Sequence, residues 1–328
     1  MPVLNKVELD IYIYTGLSSA YTGNRKYQLS KTRISSQSNI TFEIANLVRD
    51  YISHNFNNDY PSDTVWVRTE ARLYDPDGTE FTSGSPDVDT YIAKDGYGYF
   101  EDGINPQLSD NLLMTSNNIY LNEGETGKLP IFAEGVGKVT IDSSDTQITD
   151  DGNTNQKIQY ITIPTTASTI QVYDTDDTTL LRTVTVHHIC EPKYTPFKVT
   201  FVNKYGAYQD LYFFKRTDES FNITDERYKR NIVDLDAITY PTYKGQSARY
   251  NVKANTSLKM NTGFILEDMN STIEELFLSE DCWIRFENST LPVIPRNKEL
   301  TFKTSLGERL TSYTVDFDFA FNKINDVR

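Results

Sequence analysis

Residues 313–321 read YTVDFDFAF. Tyr313, Val315, Phe317, Phe319 and Phe321 fall on one side of a period-two repeat, and Thr314, Asp316, Asp318 and Ala320 on the other. That alternation predicts a half-buried β-strand, because only an extended chain puts residues two apart on one face. The same period appears at the other end of the chain. Val7, Leu9, Ile11 and Ile13 alternate with Glu8, Asp10, Tyr12 and Tyr14, and Val65, Val67, Thr69, Ala71 and Leu73 alternate with Trp66, Arg68, Glu70 and Arg72. The turn Asp75-Pro76-Asp77-Gly78 and the run Thr79–Thr82 then predict a hairpin. Between these strands lies TFEIANLVRDYISHNF, residues 41–56. Ile44, Leu47, Val48, Tyr51 and Ile52 would share one face of an amphipathic helix, with Thr41 as N-cap and Glu43 in the first turn. Residues 1–116 therefore read as an α+β domain, one helix on a mostly antiparallel sheet.

Residues 117–190 read as all β. Short β-rich runs recur at Ile119–Leu121, Lys128–Phe132, Lys138–Ile141, Lys157–Ile163, Ser168–Tyr173 and Leu180–His187. Loops rich in Gly, Asp, Asn and Thr separate them, the pattern of a small β-sandwich. The Cys…Trp…Cys pattern of antibody domains is absent, so the expectation is an Ig-like architecture only. Residues 191–328 open on Glu191-Pro192-Lys193-Tyr194-Thr195-Pro196, a rigid connector. Phe197, Val199 and Phe201 then alternate, a turn spans Asn203–Asp210, and strands follow at Leu211–Lys215 and Cys282–Glu287. Ser271-Thr272-Ile273-Glu274 has the form of a capping box opening a helix with Ile273, Leu276 and Phe277 on one face. The fold class expected is β-rich α+β and multi-domain: two mixed antiparallel-sheet domains with short helices, 1–116 and 191–328, flanking a central Ig-like β-sandwich, 117–190.

Composition narrows the function. The 328 residues carry 46 acidic and 32 basic side chains, a formal net charge of −14. Nucleic-acid binders normally carry a basic footprint, so none is expected as partner. Nothing approaches the run of ~20 apolar residues that spans a bilayer, and no secretory signal is visible at the N-terminus. Cys190 and Cys282, the only cysteines, give neither a disulfide framework nor metal-ligand spacing. Tyrosines and phenylalanines number 22 and 17, and strands such as 7–14 carry rings opposite their aliphatic face. Burial on both faces usually explains such strands, and a neighbouring subunit can supply the second cover.

Motifs for chemistry are sparse. His187, His188 and Cys190 form a compact cluster, but a structural zinc site needs four ligands and only Cys282 and His54 remain to complete one. Asp75–Gly78 lacks the further oxygen ligands and the closing Glu of an EF-hand, so it reads as a turn. The acidic loops Asp142–Asp151 and Asp174–Asp177 read as solvated loops, with calcium as the alternative. DGYGYFEDG at 95–103 fits neither a P-loop nor G-x-G-x-x-G opening a helix. Glycines and rings interleave there, which gives a tight turn or a contact patch of Tyr97, Tyr99 and Phe100 for a sugar or a protein. No G-x-S-x-G occurs, and 46 acidic residues offer carboxylate pairs by chance without nominating one. No catalytic residue, cofactor-binding residue, metal ligand or cofactor is expected, and the chain reads as non-enzymatic.

Five runs resemble a family of phage virion proteins from phages and prophages of Bacteroidetes-type bacteria. They are YQLSKTRISSQSNITFEIANLVRDYISHNF (27–56), YIAKDGYGYFEDGINPQ (91–107), NIYLNEGETGKLPIFAEGVGKVTI (118–141), KVTFVNKYGAYQDLYFFKR (198–216) and LTSYTVDFDFAFNKINDVR (310–328). The resemblance runs over nearly the whole chain, and its motifs are turns, strands and a helix. It implies a structural component of a tailed phage, at the tail or baseplate, assembled in the host bacterial cytoplasm. It implies other virion proteins as partners, a homo-oligomer in a symmetric assembly, and no cofactor or active site. Three rivals follow: a receptor- or glycan-binding module contacting a host surface glycan through Tyr97, Tyr99 and Phe100, a carbohydrate-active enzyme, and a capsid or neck component.

Overall fold

In the computed structural model, the described residues are 4–34, 39–80, 85–104, 107–108, 110–233, 236–297, 301 and 310–324. The chain is β-rich and builds several sheets. Its contacts divide it into two units. The first comprises Met1–Cys190, Thr200–Leu211 and Asp268–Glu280; the second comprises Glu191–Val199, Tyr212–Glu267 and Asp281–Arg328.

The first unit opens with β1 (Lys6–Tyr14), β2 (Tyr27–Thr32), β3 (Thr64–Tyr74) and β4 (Asp87–Lys94), an antiparallel sheet ordered β2-β1-β3-β4. The register runs Lys6↔Tyr74 to Tyr14↔Trp66 across β1 and β3. Leu9, Ile11 and Ile13 pack with Val65 and Val67 as the alternation requires, and Val48 with flanking Phe42, Ile44, Leu47 and Ile52 covers them. The helix that supplies this cover, α1 (Ala45–Arg49), is far shorter than the apolar spacing over 41–56 predicts. Its N-cap is Ile44, not Thr41, and Glu43 accepts the Ala45 N–H instead. The chain past Arg49 gives up helix because tertiary partners claim it: Phe56 is buried and His54 is held at both ring nitrogens. After β3 the Asp75 carboxylate accepts the N–H groups of Asp77 and Thr79, fixing the turn with Gly78 at φ 81°. A single bridge, Tyr74↔Glu80, follows; the rest of the expected 79–82 run partly lies outside the described residues, and the long partner of β3 is β4.

All six runs expected within 117–190 are strands. They are β5 (Asn118–Asn122), β6 (Gly127–Phe132), β7 (Lys138–Ile141), β9 (Ile158–Ile163), β10 (Thr169–Tyr173) and β11 (Leu180–Ile189), with an unexpected edge strand β8 (Ser144–Gln147). One sheet is ordered β5-β11-β10-β7-β8, with β5 parallel to β11, and β6 pairs β9 in a separate ribbon. β8 escaped notice because all four of its residues are exposed and carry no apolar period. A turn of helix, α2 (Thr154–Lys157), ties this module to the first sheet. Ser62 and Thr64 hydroxyls both donate to the Thr154 carbonyl, and Thr154 N–H donates to Gly16 O. Lys157 is buried against the Trp66 ring and pairs with Asp150 at 2.6 Å and Glu134 at 3.0 Å.

β12 (Phe197–Val202) and β13 (Tyr208–Phe213) follow, joined by the Asn203 turn. Asn203 organises that turn: its amide donates to Leu113 O and Gln209 Oε1, and its Oδ1 accepts the Tyr205 and Ala207 N–H groups. The helix α3 (Asn270–Leu278) also belongs to the first unit and buries Ile273 and Leu276. It starts one residue before Ser271, so the capping box does not form; Ser271 Oγ donates to Asp268 O. Asp268 instead accepts from Ser116 Oγ, Asn117 N–H and Asn118 Nδ2 and pins the entry to β5.

The second unit holds β14 (Asp218–Lys229), β15 (Ser247–Asn261), β16 (Ile265–Leu266), β17 (Cys282–Phe286), β18 (Ser289–Pro295), β19 (Leu310–Thr311) and β20 (Thr314–Phe319). β16 pairs β19, and the large sheet is ordered β13-β12-β17-β18-β20-β15-β14. Val315 and Phe317 of β20 are fully buried, with Phe213 edge-on to Phe317 at 5.6 Å. The alternation stops short of its end, because Phe321 lies past the strand and is exposed.

Candidate functional site

The aromatic loop after β4 is braced from below. His54 Nδ1–H donates to Asp63 Oδ2 at 2.9 Å and Nε2–H to Asp95 Oδ2 at 3.2 Å, and Arg49 Nε reaches Asp95 Oδ1 at 3.1 Å. Burial alone would lower the imidazole's pKa; the two carboxylate hydrogen bonds and their charges outweigh it and push His54 up to about 9. Burial would raise Asp95, but His54, the Gly96 N–H and Arg49 hold it below the usual carboxylate range. Lys94 is lowered to about 8 by burial, its amine donating to Tyr205 O at 2.6 Å.

Two glycines let this loop meet the Asn203 turn. A Cβ on Gly96 would stand 2.7 Å from Lys204 O, and one on Gly206 would stand 2.2 Å from Asp95 O. The backbones therefore approach as only glycine allows, and Tyr97 N–H donates to Lys204 O at 2.9 Å. Tyr97 and Tyr99 stand edge to face at 5.9 Å, both half-buried, with the Lys204 amine 5.7 Å from the Tyr99 ring. Burial pushes the Tyr97 hydroxyl well above the ordinary phenol range and Tyr99 up to about 12, and the nearby Glu274 and Glu275 add to both. Of the three patch residues, Tyr97 and Tyr99 are half-buried and Phe100 is fully exposed.

A larger exposed feature was not legible in the sequence. Every residue of β14 is exposed except Asp225, and β15 is mostly exposed over 247–253. The outer register, Phe221↔Thr256 to Lys229↔Ser247, joins β14 and β15 as a two-stranded ribbon; β15 meets β20 only from Ser257 onward. Phe221, Ile223, Tyr228 and Tyr250 are exposed on the ribbon, and Val233, Ile238, Tyr240 and Tyr243 on its connection. Arg227 and Arg249 are directly opposite, a repulsive cross-strand pair. Asp225 relieves it by accepting from both guanidinium groups, at 3.1 and 2.9 Å, and those bonds hold its carboxyl below the usual range. Positive φ at Asn251, 48°, marks the bulge that follows.

The remaining sequence candidates make hydrogen bonds and ring contacts within the first unit. His187 Nε2 meets Asn118 Oδ1 at 2.9 Å and its ring stacks on Tyr120 at 4.7 Å; His188 Nε2–H donates to Ala167 O. The carboxylates of the acidic loops are engaged by protein donors, locally at Asp176 and from other segments at Asp142 and Asp150. Asp142 accepts from Ser168 and Thr169, Asp150 from Lys157, and Asp176 from Thr178 and Thr179. Among the described residues no group of three or more His, Cys, Asp or Glu side chains is placed to hold a metal ion, and no helix is long and apolar enough to cross a membrane. No protein-family model matches the chain, and no curated protein matches it in sequence.

Proposed function

We propose that this chain is a non-enzymatic structural component of a tailed-phage virion, in the tail or baseplate, that works by subunit–subunit assembly. The observation that carries the assembly role is the β14–β15 ribbon. A two-stranded hairpin is at best marginal in water by itself. This one keeps Phe221, Ile223, Tyr228 and Tyr250 exposed and offers β14 as an open sheet edge. An exposed edge with apolar residues is a template for another chain unless something covers it. The place on the particle and the host cytoplasm as assembly compartment come from the resemblance of the runs at 27–56, 91–107, 118–141, 198–216 and 310–328. Residues 117–190 fit this role as an Ig-like sandwich: the β5-β11-β10-β7-β8 sheet and the β6–β9 ribbon support that reading.

The test is light scattering coupled to size exclusion across a wide concentration range, on the wild type and on Phe221→Ser/Ile223→Ser/Tyr250→Ser. These side chains are exposed, so the variant keeps its fold, and circular dichroism checks that it does. A discrete wild-type oligomer that the variant loses supports the role. A variant that assembles as the wild type does removes the ribbon from it. Antibody label on particles from producing cells then locates the chain, and label at the head or collar instead of the tail overturns the tail assignment.

A further inference from the structure

The β14 strand ends its sheet, with β15 on one side only. The bulge in the ribbon belongs to β15. Thr224↔Lys253 and Glu226↔Tyr250 set two steps of β14 against three of β15, at the positive φ of Asn251. β14 itself therefore runs unbroken from Asp218 to Lys229, and its period of two puts Glu219, Phe221, Ile223, Asp225, Arg227 and Lys229 on one face. Charge is graded along the strand. Asp218 and Glu219 stand at its start, and Arg227, Lys229 and the following Arg230 at its end. Asp225, near the middle, is neutralised by Arg227 and Arg249, and Asp218 is paired with Arg216 at 2.7 Å. Glu219 and Lys229 are both exposed, and among the described residues no hydrogen bond or ion pair engages either side chain.

We infer that β14 pairs antiparallel with β14 of a second copy of this chain, across a two-fold axis at Thr224 that sets Glu219 of each copy opposite Lys229 of the other. This pairing rests on the assembly role proposed above and names its partner and geometry. An antiparallel pair lays the acidic start of one strand along the basic end of its copy, so the graded charge is self-complementary. A parallel pair would set Asp218 and Glu219 beside the same residues of the copy, and like charges opposite each other repel. In the antiparallel register Phe221 lies opposite Arg227, a ring against a guanidinium, and the two Ile223 side chains become diagonal neighbours. Both exposed apolar residues thereby gain cover. A shift of two residues one way would set Glu219 against Arg227, in competition with the Asp225 clamp, and leave Lys229 opposite Thr217. A shift of two the other way would set Asp225 opposite Asp225. The opposite edge of the same sheet, β13, is almost wholly buried, so the sheet has no second open edge for head-to-tail growth.

Sedimentation equilibrium on the full chain tests it by charge exchange. The wild type should form a dimer. Glu219→Lys and Lys229→Glu should each weaken it roughly tenfold or more, because each turns two symmetry-related attractive pairs into repulsive ones. The two single variants, each poor at pairing with its own kind, should form a one-to-one dimer when mixed. Glu219→Lys/Lys229→Glu on one chain should recover the homodimer. Both positions are exposed, so circular dichroism should be the same for every variant. Undiminished association in either single variant overturns the inference, and so does failure of the mixture or of the double variant to recover. A wild-type trimer overturns it too, since a two-fold contact cannot build one. If Phe221→Ser/Ile223→Ser/Tyr250→Ser abolishes such a trimer, the assembly role stands and only this geometry falls. A wild type that stays monomeric at every concentration overturns both.

Discussion

His54 shows how one side chain can brace three stretches of a chain. Its ring joins Asp63 and Asp95, and Asp63 also accepts the Tyr208 hydroxyl at 2.6 Å. Held up to about 9 from an ordinary 6.5, the imidazolium stabilises the fold fully below pH 6.5, and that stabilisation is lost as pH rises through 9. Lys94 acts in the opposite direction. Lowered to about 8, it favours the fold increasingly as the pH climbs from there toward 10.5. The two effects overlap, so the difference between wild type and His54→Gln is the clean quantity. Urea unfolding at pH 6 should show the variant less stable by on the order of 2 kcal/mol, and the gap should close by pH 9.5. A gap that is the same at both pH values would mean that the ring is held by packing, not by charge. None of this was legible in advance. His54 sits in a run whose apolar spacing predicts helix, while its two acceptors lie 9 and 41 positions away.

At the scale of elements, alternation was legible wherever one face of a strand is buried. β20 is the clearest case, with Val315, Phe317 and Tyr313 buried and Thr314 exposed. Phe317 lies opposite Leu258 and against Phe213, so Phe317→Ala should cost about 3–5 kcal/mol in chemical denaturation. A cost below ~1 kcal/mol would show that the second unit closes over the cavity. β14 is the reverse case. Its sequence, Asp218 to Lys229, mixes charges and rings without a buried face, and no period marks it as a strand. Its register is set by β15, whose paired residues lie 18 to 41 positions away, by the Asp225–Arg249 clamp and by the Asn251 bulge. The helix expected over 41–56 fell short for a related reason, while the one expected at Ser271 is present as α3. Propensity and caps speak for isolated segments, whereas α1 is cut short by contacts beyond its own turn.

For the whole molecule, exposure is concentrated. The connection between β14 and β15 carries Ile238 and Tyr243 almost wholly in solvent, with Lys229, Arg230 and Lys244 beside them also exposed. Segments with few buried contacts open at low cost and are nicked first. Brief trypsin treatment of the isolated chain should therefore cut within 229–249 before any other site, and mass spectrometry of the fragments reads this directly. First cleavage elsewhere would mean that the ribbon is already covered. The two prolines after Glu191 mark a connector in the sequence, and the second contact unit opens with Glu191–Val199. That the chain later returns to the first unit at Thr200–Leu211 and Asp268–Glu280 was not legible, because no local pattern records which sheet a turn or helix will join.

That return sets a timetable for synthesis. A ribosome delivers β1 to β11 early, yet the Asn203 turn that holds Leu113 lies 90 residues beyond that partner, and the Asp268 carboxylate that pins Ser116 lies 152 residues beyond its own. The nascent first unit must wait, incomplete, until Glu280 has left the exit tunnel, and by then the whole of β14 and β15 is already outside. The exposed β14–β15 ribbon is thus outside the ribosome before the first unit is finished. On the proposed assembly role, successive nascent chains on one polysome would meet through their ribbons before either is released.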